Sequence, residues 1–582
     1  MESIKADILI LGSGGAGLMA ALQAYDANDT LDIVLAAKGV LGKGGCSRMV
    51  QGGFNVVLNP EDSHMKHFTD TLKGGQFINN QDLAWTLVTN ATPVIKAMET
   101  RYGCFFDRNP DGTVHQKPFA GQCFDRTVHK GDLTGIEIVS RAVDQIFKRN
   151  IRVMDEHRAV DLLFDGSGSR VVGALLVDIR RGKFIVVNAR ATLVATGGGP
   201  TMYRYFAPSM DKSADGLAML YRSGAEMVDM EMVQFHPTGL LVKGSIVAGT
   251  VLEEGLRGAG AHLYNAQGER YMERYAPDVK ERATRDVVSR SGYLEIMAGR
   301  AFDHGGVNLD GSHLGANFIY KNFPGMAQRC ADYGFDLGKG PVPVTPTAHY
   351  FMGGAIITAQ CRSTLDGLFV AGEDSGGVHG ANRLGGNGIA DSCVFGSLAG
   401  KAMSQYAPEQ ELMEPDPVRL EEIQRQVLKP FDNSDGESPF PFCARLRELM
   451  WTKVGLVRNG KDLQEAVDEL EEMADRAGRV RVDGNLPYNL KWHEWINLIN
   501  MITVSRIVAR SALLRKESRG SHFRSDFPNQ DNKNYLVNYF VRRDTDQPQF
   551  EARPVKLSQM APPDLEASAA AAGGGNPGKS ER

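Results

Sequence analysis

ILILGSGGAG, residues Ile8–Gly17, joins an apolar run one strand long to glycines at Gly12, Gly14 and Gly17. Leu18-Met19-Ala20-Ala21-Leu22 then continues as the first turns of a helix. Each glycine answers a steric need. The first permits a tight turn, the second lets backbone approach a pyrophosphate, and the third lets helix pack closely on strand. Phosphate charge then meets the unpaired N–H groups at the helix N-terminus. Between a strand and a helix, this spacing predicts a dinucleotide-binding fold of the α/β class.

Working outward, Leu31–Ala37 (LDIVLAA) reads as the second parallel strand. An NAD-binding fold ends that strand on Asp or Glu to hold the ribose, but here it ends on Ala37-Lys38, which weighs against NAD. Gly42–Asn55 (GKGGCSRMVQGGFN) carries enough glycine for backbone to lie close to a large flat group. At 582 residues the chain predicts about two to four domains. A hydrophobic fraction of 42% with 23% charged residues suits a water-soluble globular chain, and a net charge of −5 gives no case for nucleic acid. No apolar run approaches the roughly 20 residues of a membrane span, so direct membrane insertion is not expected. MESIKAD lacks the basic and apolar regions of a secretion signal, which predicts a cytoplasmic location. Cys46, Cys104, Cys123, Cys330, Cys361, Cys393 and Cys443 are odd in number and show no CxxC spacing. Neither a metal site nor a disulfide framework is indicated, and an iron–sulfur cluster would have to lie on another chain.

Further blocks follow in order: QGGFN (Gln51–Asn55), ATGGG (Ala195–Gly199), QFHPTG (Gln234–Gly239), RDVVSRS (Arg285–Ser291), PTAHYFMGG (Pro346–Gly354), GLFVAGE (Gly367–Glu373), HGANRLGGN (His379–Asn387) and ESRGSHFRSDFP (Glu517–Pro528). On these the chain resembles the flavoprotein subunit of succinate dehydrogenase and fumarate reductase, with L-aspartate oxidase as a relative. The resemblance implies a Rossmann-like FAD-binding domain formed by 1–235 and 350–405, with an inserted α+β capping domain at 236–349. A C-terminal helical domain at 418–535 agrees with the helical spacing of apolar residues there. An extension at 536–560 and a tail at 561–582 without core-forming residues, expected to be disordered, complete the chain.

The same resemblance assigns residues. His236, His349, Arg383 and the apolar wall Phe119 match substrate-binding positions, where arginine meets a carboxylate with its planar fork. Arg285 matches the proton-transferring arginine, with Glu254 and Arg257 as its relay. Gly12, Gly14, Gly17, Lys38, Gly52, Gly53, Asp215 and Glu373 are expected around FAD. Asn387, Gly388 and Ile389 open a helix whose N-terminus stabilises the reduced flavin. The implied activity is interconversion of a succinate-like and a fumarate-like acid, with electrons passing to or from an iron–sulfur partner that could itself be membrane-anchored. An aspartate oxidase-like enzyme, or a reductase for a substituted dicarboxylate, is the alternative.

Two departures stand out. Cys46 occupies the place of the histidine that links FAD covalently in many members, so FAD is expected to be non-covalent. Glu253 replaces a threonine that bonds the substrate carboxylate. An inward-facing anion there would disfavour a plain dicarboxylate, whereas a Glu253 paired with a neighbouring Lys or Arg would be a structural substitution.

Overall fold

The computed structural model describes residues 1–563 and 565, except 208, 545 and 546; the tail expected at 561–582 otherwise lies outside the described residues. β1 (Glu2–Leu11) turns at Gly12, φ 111°, into α1 (Gly15–Ala27). A Cβ on Gly12 would lie 2.2 Å from the Ala195 carbonyl oxygen, and one on Gly17 1.8 Å from that of Gly12. No other residue fits either position.

β2 (Ile33–Ala37), β3 (Ile151–Asp155), β4 (His157–Phe164), β5 (Val171–Asp178) and β6 (Lys183–Val194) join β1 in one sheet ordered β3-β2-β1-β6-β5-β4. The neighbours from β3 to β6 run parallel, and β5 and β4 return antiparallel. Ile8–Leu11 and Ile33–Ala37 are buried throughout, as strands covered on both faces must be.

After α2 (Asp215–Arg222) and β7 (Met227–Val228), the chain enters β8 (Val233–Leu240), β9 (Thr250–Val251), α3 (Glu254–Gly258), β10 (His262–Tyr264), α4 (Arg285–Met297), β11 (Val307–Asp310) and β12 (Val342–Phe351). Strands β9-β8-β12-β11-β10 form an antiparallel sheet, the cap. Val233, Phe235, Ala348 and Phe351 pack in the main core, while Leu240, Val342 and Val344 pack in a separate cap core. β8 and β12 therefore run from one core into the other, and the residues expected to bind substrate that they carry, His236 and His349, sit at the crossing.

β13 (Gly354–Ala355) and β14 (Leu368–Val370) return the chain to the main fold, β14 pairing parallel with β6. α5 (Asn387–Tyr406) then packs backbone to backbone on α1: a Cβ on Gly396 or Gly400 would lie 2.3 and 2.2 Å from the carbonyl oxygens of Ala16 and Ala20. The two helix N-termini are thereby fixed relative to each other.

The helices α6 (Pro417–Leu428), α7 (Pro439–Lys453), α8 (Gly460–Ala477) and α9 (Leu490–Leu514) follow, with Asp416, Asn459 and Asn489 capping α6, α8 and α9 through their side chains. Leu446, Leu463 and Trp492 belong to the same apolar cluster as the central sheet. The extension at 536–560 contains a hairpin, β15 (Val537–Asp544) and β16 (Gln547–Pro554), that joins β7 and β13 in a four-stranded sheet ordered β13-β7-β15-β16. Arg515 anchors this end: its guanidinium donates to Glu231 at 2.7 Å and to Glu517 at 3.0 Å, all three fully buried. Among the described residues no helix is long and apolar enough to cross a membrane.

Candidate active site

One cavity opens beside the first βα turn, lined by Gly12, Ser13, Lys38, Arg158, Thr196 and Asp215 among others. Lys38 donates to Asp215 at 2.9 Å, Ser213 at 2.8 Å and Asn497 at 3.0 Å. Arg158 pairs with the other oxygen of Asp215, which also accepts from Asn500 at 2.7 Å. Burial opposes ionisation of Asp215, yet Arg158 and Lys38 hold its carboxyl below the usual range. Lys38 itself is lowered by burial and by Arg158.

A second cavity lies between the main fold and the cap. Cys46, Gly52, Gly53, Phe119, His236, Glu253, Glu254, Arg285, His349, Glu373, Arg383, Gly388 and Ile389 all line it. β8 pairs Gln234 with Tyr350 and then Phe235 with Ala348, which leaves His349 as the extra residue of a β-bulge. Bulges re-aim a side chain, and here His349 comes to 5.4 Å from His236, ring centre to ring centre. Arg285, at the start of α4, donates through Nε to Glu254 at 2.7 Å and through Nη1 to Gln234 Oε1 at 3.2 Å. Arg383 donates through Nη2 to that same Gln234 oxygen at 3.0 Å, and its guanidinium lies 4.5 Å from the Tyr350 ring centre. Gln234 in turn donates to Asn382 and to the Arg383 carbonyl, both at 2.7 Å. One amide thus sets the spacing of two guanidinium groups.

Charge here is unbalanced. Arg383 is pushed down from the ordinary arginine range by burial and by the neighbouring Arg285. Burial, together with Arg285 for one and Arg383 for the other, holds His236 and His349 far below 6.5, so both are neutral at physiological pH. Burial favours the neutral form of Glu254, but Arg285 and Arg257 outweigh it and keep the carboxyl low. Arg257 stays beside this group without bonding to Glu254; its Nη1 donates to the Glu281 carbonyl at 2.7 Å.

The remaining expected residues find these places. Phe119 is buried against the cavity, and a Cβ on Gly52 would lie 2.5 Å from its ring. Gly53, φ 144°, would bring a Cβ to 2.1 Å from the Val128 carbonyl. Glu373 pairs with Lys212 and accepts from the Phe351 N–H at 3.0 Å. Asn387 spends its side chain on Asn55, His67 and Thr71, and its backbone N–H donates to the Leu384 carbonyl at 3.2 Å. Gly388, where the resemblance expects serine, leaves room for Arg383: a Cβ there would lie 3.0 Å from Nη1. The Cys46 thiol is pushed up to about 11 by burial and lies by Lys212. Glu253 lines the cavity but is only 3% exposed, and its Oε1 accepts from Lys117 at 2.6 Å. The paired arrangement is the one present.

Gln234 and Lys117 went unassigned in the sequence. Gln234 stands inside QFHPTG, yet its partners come from Arg285 and from Asn382-Arg383. Lys117 reaches Glu253 because three short strands, Phe54–Asn55, Gln116–Lys117 and Thr127–Val128, form a small sheet beside the cavity.

A strand–turn–helix that excludes side chains at Gly12 and Gly17, and a second helix start at Gly388-Ile389 facing a cationic cavity, fit the two ends of FAD. Fold and site define a dinucleotide-dependent flavoprotein with a capped active site. Residues 7–389 match the family model described as an FAD binding domain, and 443–567 match that of the fumarate reductase flavoprotein C-term. One subunit of the CoM/CoB fumarate reductase of Methanothermobacter marburgensis is 40% identical over 90% of this chain and 95% of its own. The 8-methylmenaquinol:fumarate reductase flavoprotein subunit of Wolinella succinogenes is 34% identical over 93% and 89%. A solved Escherichia coli quinol fumarate reductase chain carrying a glutamate-to-glutamine mutation superposes with a TM-score of 0.91 at 32% identity, over 97% of this chain and 98% of that one. The chain belongs to the family of succinate dehydrogenase and fumarate reductase flavoprotein subunits, and its cofactor is FAD.

Proposed function

We propose that the chain interconverts fumarate and succinate, with FAD held non-covalently and electrons exchanged with an iron–sulfur partner chain. The observation that carries this is the shared Gln234 oxygen, which holds Arg285 and Arg383 on one cavity wall with Glu254 behind Arg285 alone. Bound FAD supplies hydride transfer at N5. Arg383 and the neutral His349 take one substrate carboxylate, a bidentate anchor that fixes the reacting carbon. His236 donates to the other carboxylate. Arg285 gives a proton to the carbon opposite the flavin in the reducing direction and removes it in the oxidising one; arginine suits this only in a buried site among other cations. Phe119 and the cap exclude water.

Cys46 in place of the linking histidine supports non-covalent attachment. The relatives are subunits by name, and we extend that to this chain, which its partners would hold at the cytoplasmic face of a membrane. The test is anaerobic: chain reconstituted with FAD and reduced chemically should be reoxidised by fumarate and not by a monocarboxylate such as crotonate. Acid precipitation of the same sample should leave the yellow colour in the supernatant. Failure of fumarate to reoxidise the flavin overturns the substrate reading, and colour in the pellet overturns the attachment.

A further inference from the structure

Four cationic side chains line the substrate cavity, and two of them are matched by anions. Lys212 pairs with Glu373, and Arg285 with Glu254. Glu253, the remaining carboxylate on the wall, is matched by Lys117. Arg383 and Arg329 are left, and among the described residues neither forms an ion pair. A dicarboxylate brings two negative charges to a cavity with two unmatched guanidinium groups.

The two arginines stand on different parts of the wall and share no hydrogen-bond partner. Arg383 lies on Gln234 and Tyr350. Arg329 comes from the cap, on the helix Pro324–Ala331, and its Nη1 donates to the Val251 carbonyl at 3.2 Å. Gln51 Nε2 donates to that same oxygen at 3.2 Å, which sets Arg329 beside the Gly52-Gly53 turn. One turn back on its helix, Met326 Sδ accepts from the Glu253 N–H at 3.0 Å. Asp132 is the carboxylate that acts most on Arg329, but it accepts from the Met326 N–H at 2.9 Å and forms no ion pair with the guanidinium. Burial therefore pushes Arg329 down from the ordinary arginine range.

Glu253 stands where the resemblance expects a threonine bonded to the substrate. An ionised carboxylate has no proton to donate, so it cannot take over that bond. The neighbouring guanidinium can.

We infer that Arg329 anchors the second substrate carboxylate, joining His236 in place of the displaced threonine. The inference rests on the proposed function, in which Arg383 and His349 take the first carboxylate. It makes the site selective for acids charged at both ends, because a half-ester leaves one half-buried guanidinium without an anion.

Arg329→Gln tests this, since glutamine keeps a donor for the Val251 carbonyl and drops the charge. In the full FAD-loaded chain KM for fumarate should rise about tenfold, with kcat held within about threefold. Monomethyl fumarate keeps one free carboxylate for Arg383, and its KM should change by less than about twofold. The affinity for malonate, a non-reacting dicarboxylate read through the flavin spectral shift, should fall about tenfold. Arg329→Lys should recover most of the fumarate KM. FAD content should match the unaltered chain throughout, and Arg329→Met serves if the glutamine variant fails to hold FAD. Equal losses on fumarate and its half-ester, or none on either, overturn the anchor. So does a fumarate defect that vanishes in about 0.5 M salt, because screening over a few ångströms marks a charge that only steers substrate from the rim. An unaltered chain that reduces no fumarate refutes the proposed function. Ordinary fumarate reduction with the same KM in Arg329→Gln refutes the anchor alone.

Discussion

Two buried ionic clusters lie in this molecule, one around Asp215 and one around Glu254, and they are built on opposite plans. Asp215 faces two cations, Arg158 and Lys38, and the surplus is absorbed by amides: Asn497 accepts from both cations, and Asn500 donates to Asp215. That cluster ties β2 and β4 to α9 and meets its charge within the chain, with Arg158 Nε left without a partner among the described residues. Around Glu254 stand Arg285, Arg257 and Arg383 with two neutral histidines, and the only carboxylate bonded to any of the three arginines among the described residues is Glu254. A region completed by its own side chains serves the fold. A region left short of negative charge is shaped for a dianion, whose binding supplies what the protein withholds.

The comparison can be broken from the charged end first. Arg285→Ala should lower turnover by about 10³-fold with FAD binding intact, the loss expected when proton transfer fails in the transition state. Arg383→Ala should lower kcat/KM by about 10²-fold, with KM raised as well as kcat reduced, because an anchor is lost. Steady-state kinetics with FAD content measured in parallel separates the two. Equal effects on KM from both variants would show that the two arginines share one role.

Acid should distinguish the clusters next. His236 and His349 sit far below 6.5 in the folded chain, so from about pH 6.5 downward the unfolded chain binds protons that the folded one refuses. Each such histidine removes about 1.4 kcal/mol of stability per pH unit until its folded value is reached, and His379 and His522, lowered by burial and neighbouring arginines, add to the loss. Asp215 has the depressed carboxylate pattern, so its contribution is intact above about pH 4 and is lost only below it. Burial raises Asp229, Asp374 and Asp391 to about 7, and their protonation in the folded chain offsets part of this loss over the same range. Urea midpoints should therefore fall only modestly between pH 7 and 5 before Asp215 begins to titrate, and a midpoint that rises across that range would contradict the neutral assignment of the histidines.

The smallest effect concerns the partner of Glu253. Lys117→Met leaves that carboxylate unpaired beside the cavity and should raise KM for fumarate about tenfold, equivalent to 1.4 kcal/mol, with little change in kcat. Glu253→Thr on that background should restore KM. If Lys117→Met leaves KM unchanged, the pair is a surface detail of the fold.

What the sequence disclosed follows from how local each requirement is. Gly12 and Gly17 are legible because backbone contacts within one turn and with the adjoining strand admit no side chain. The helices α8 and α9 were legible from apolar spacing. His349 was placed by its motif, but its aim depends on a bulge in pairing with β8, and register is not written in either strand alone. Gln234 was passed over because its four contacts reach Arg285, Asn382 and Arg383, far along the chain. The β15–β16 hairpin was missed as a sheet because its partner β7 is only two residues long.

The close packing of Gly396 and Gly400 on Ala16 and Ala20 has a consequence for synthesis. α1 leaves the ribosome early, but the surface that covers it is not made until Tyr406, so the first βα turn must wait with an apolar face uncovered. Native contacts between such distant segments form late and slowly, and exposed apolar surface invites association in the meantime. A nascent chain released before the end of α5 holds the phosphate-binding turn without the helix that braces it. Cofactor loading is thus tied to the completion of some 400 residues rather than to the emergence of the glycine-rich turn.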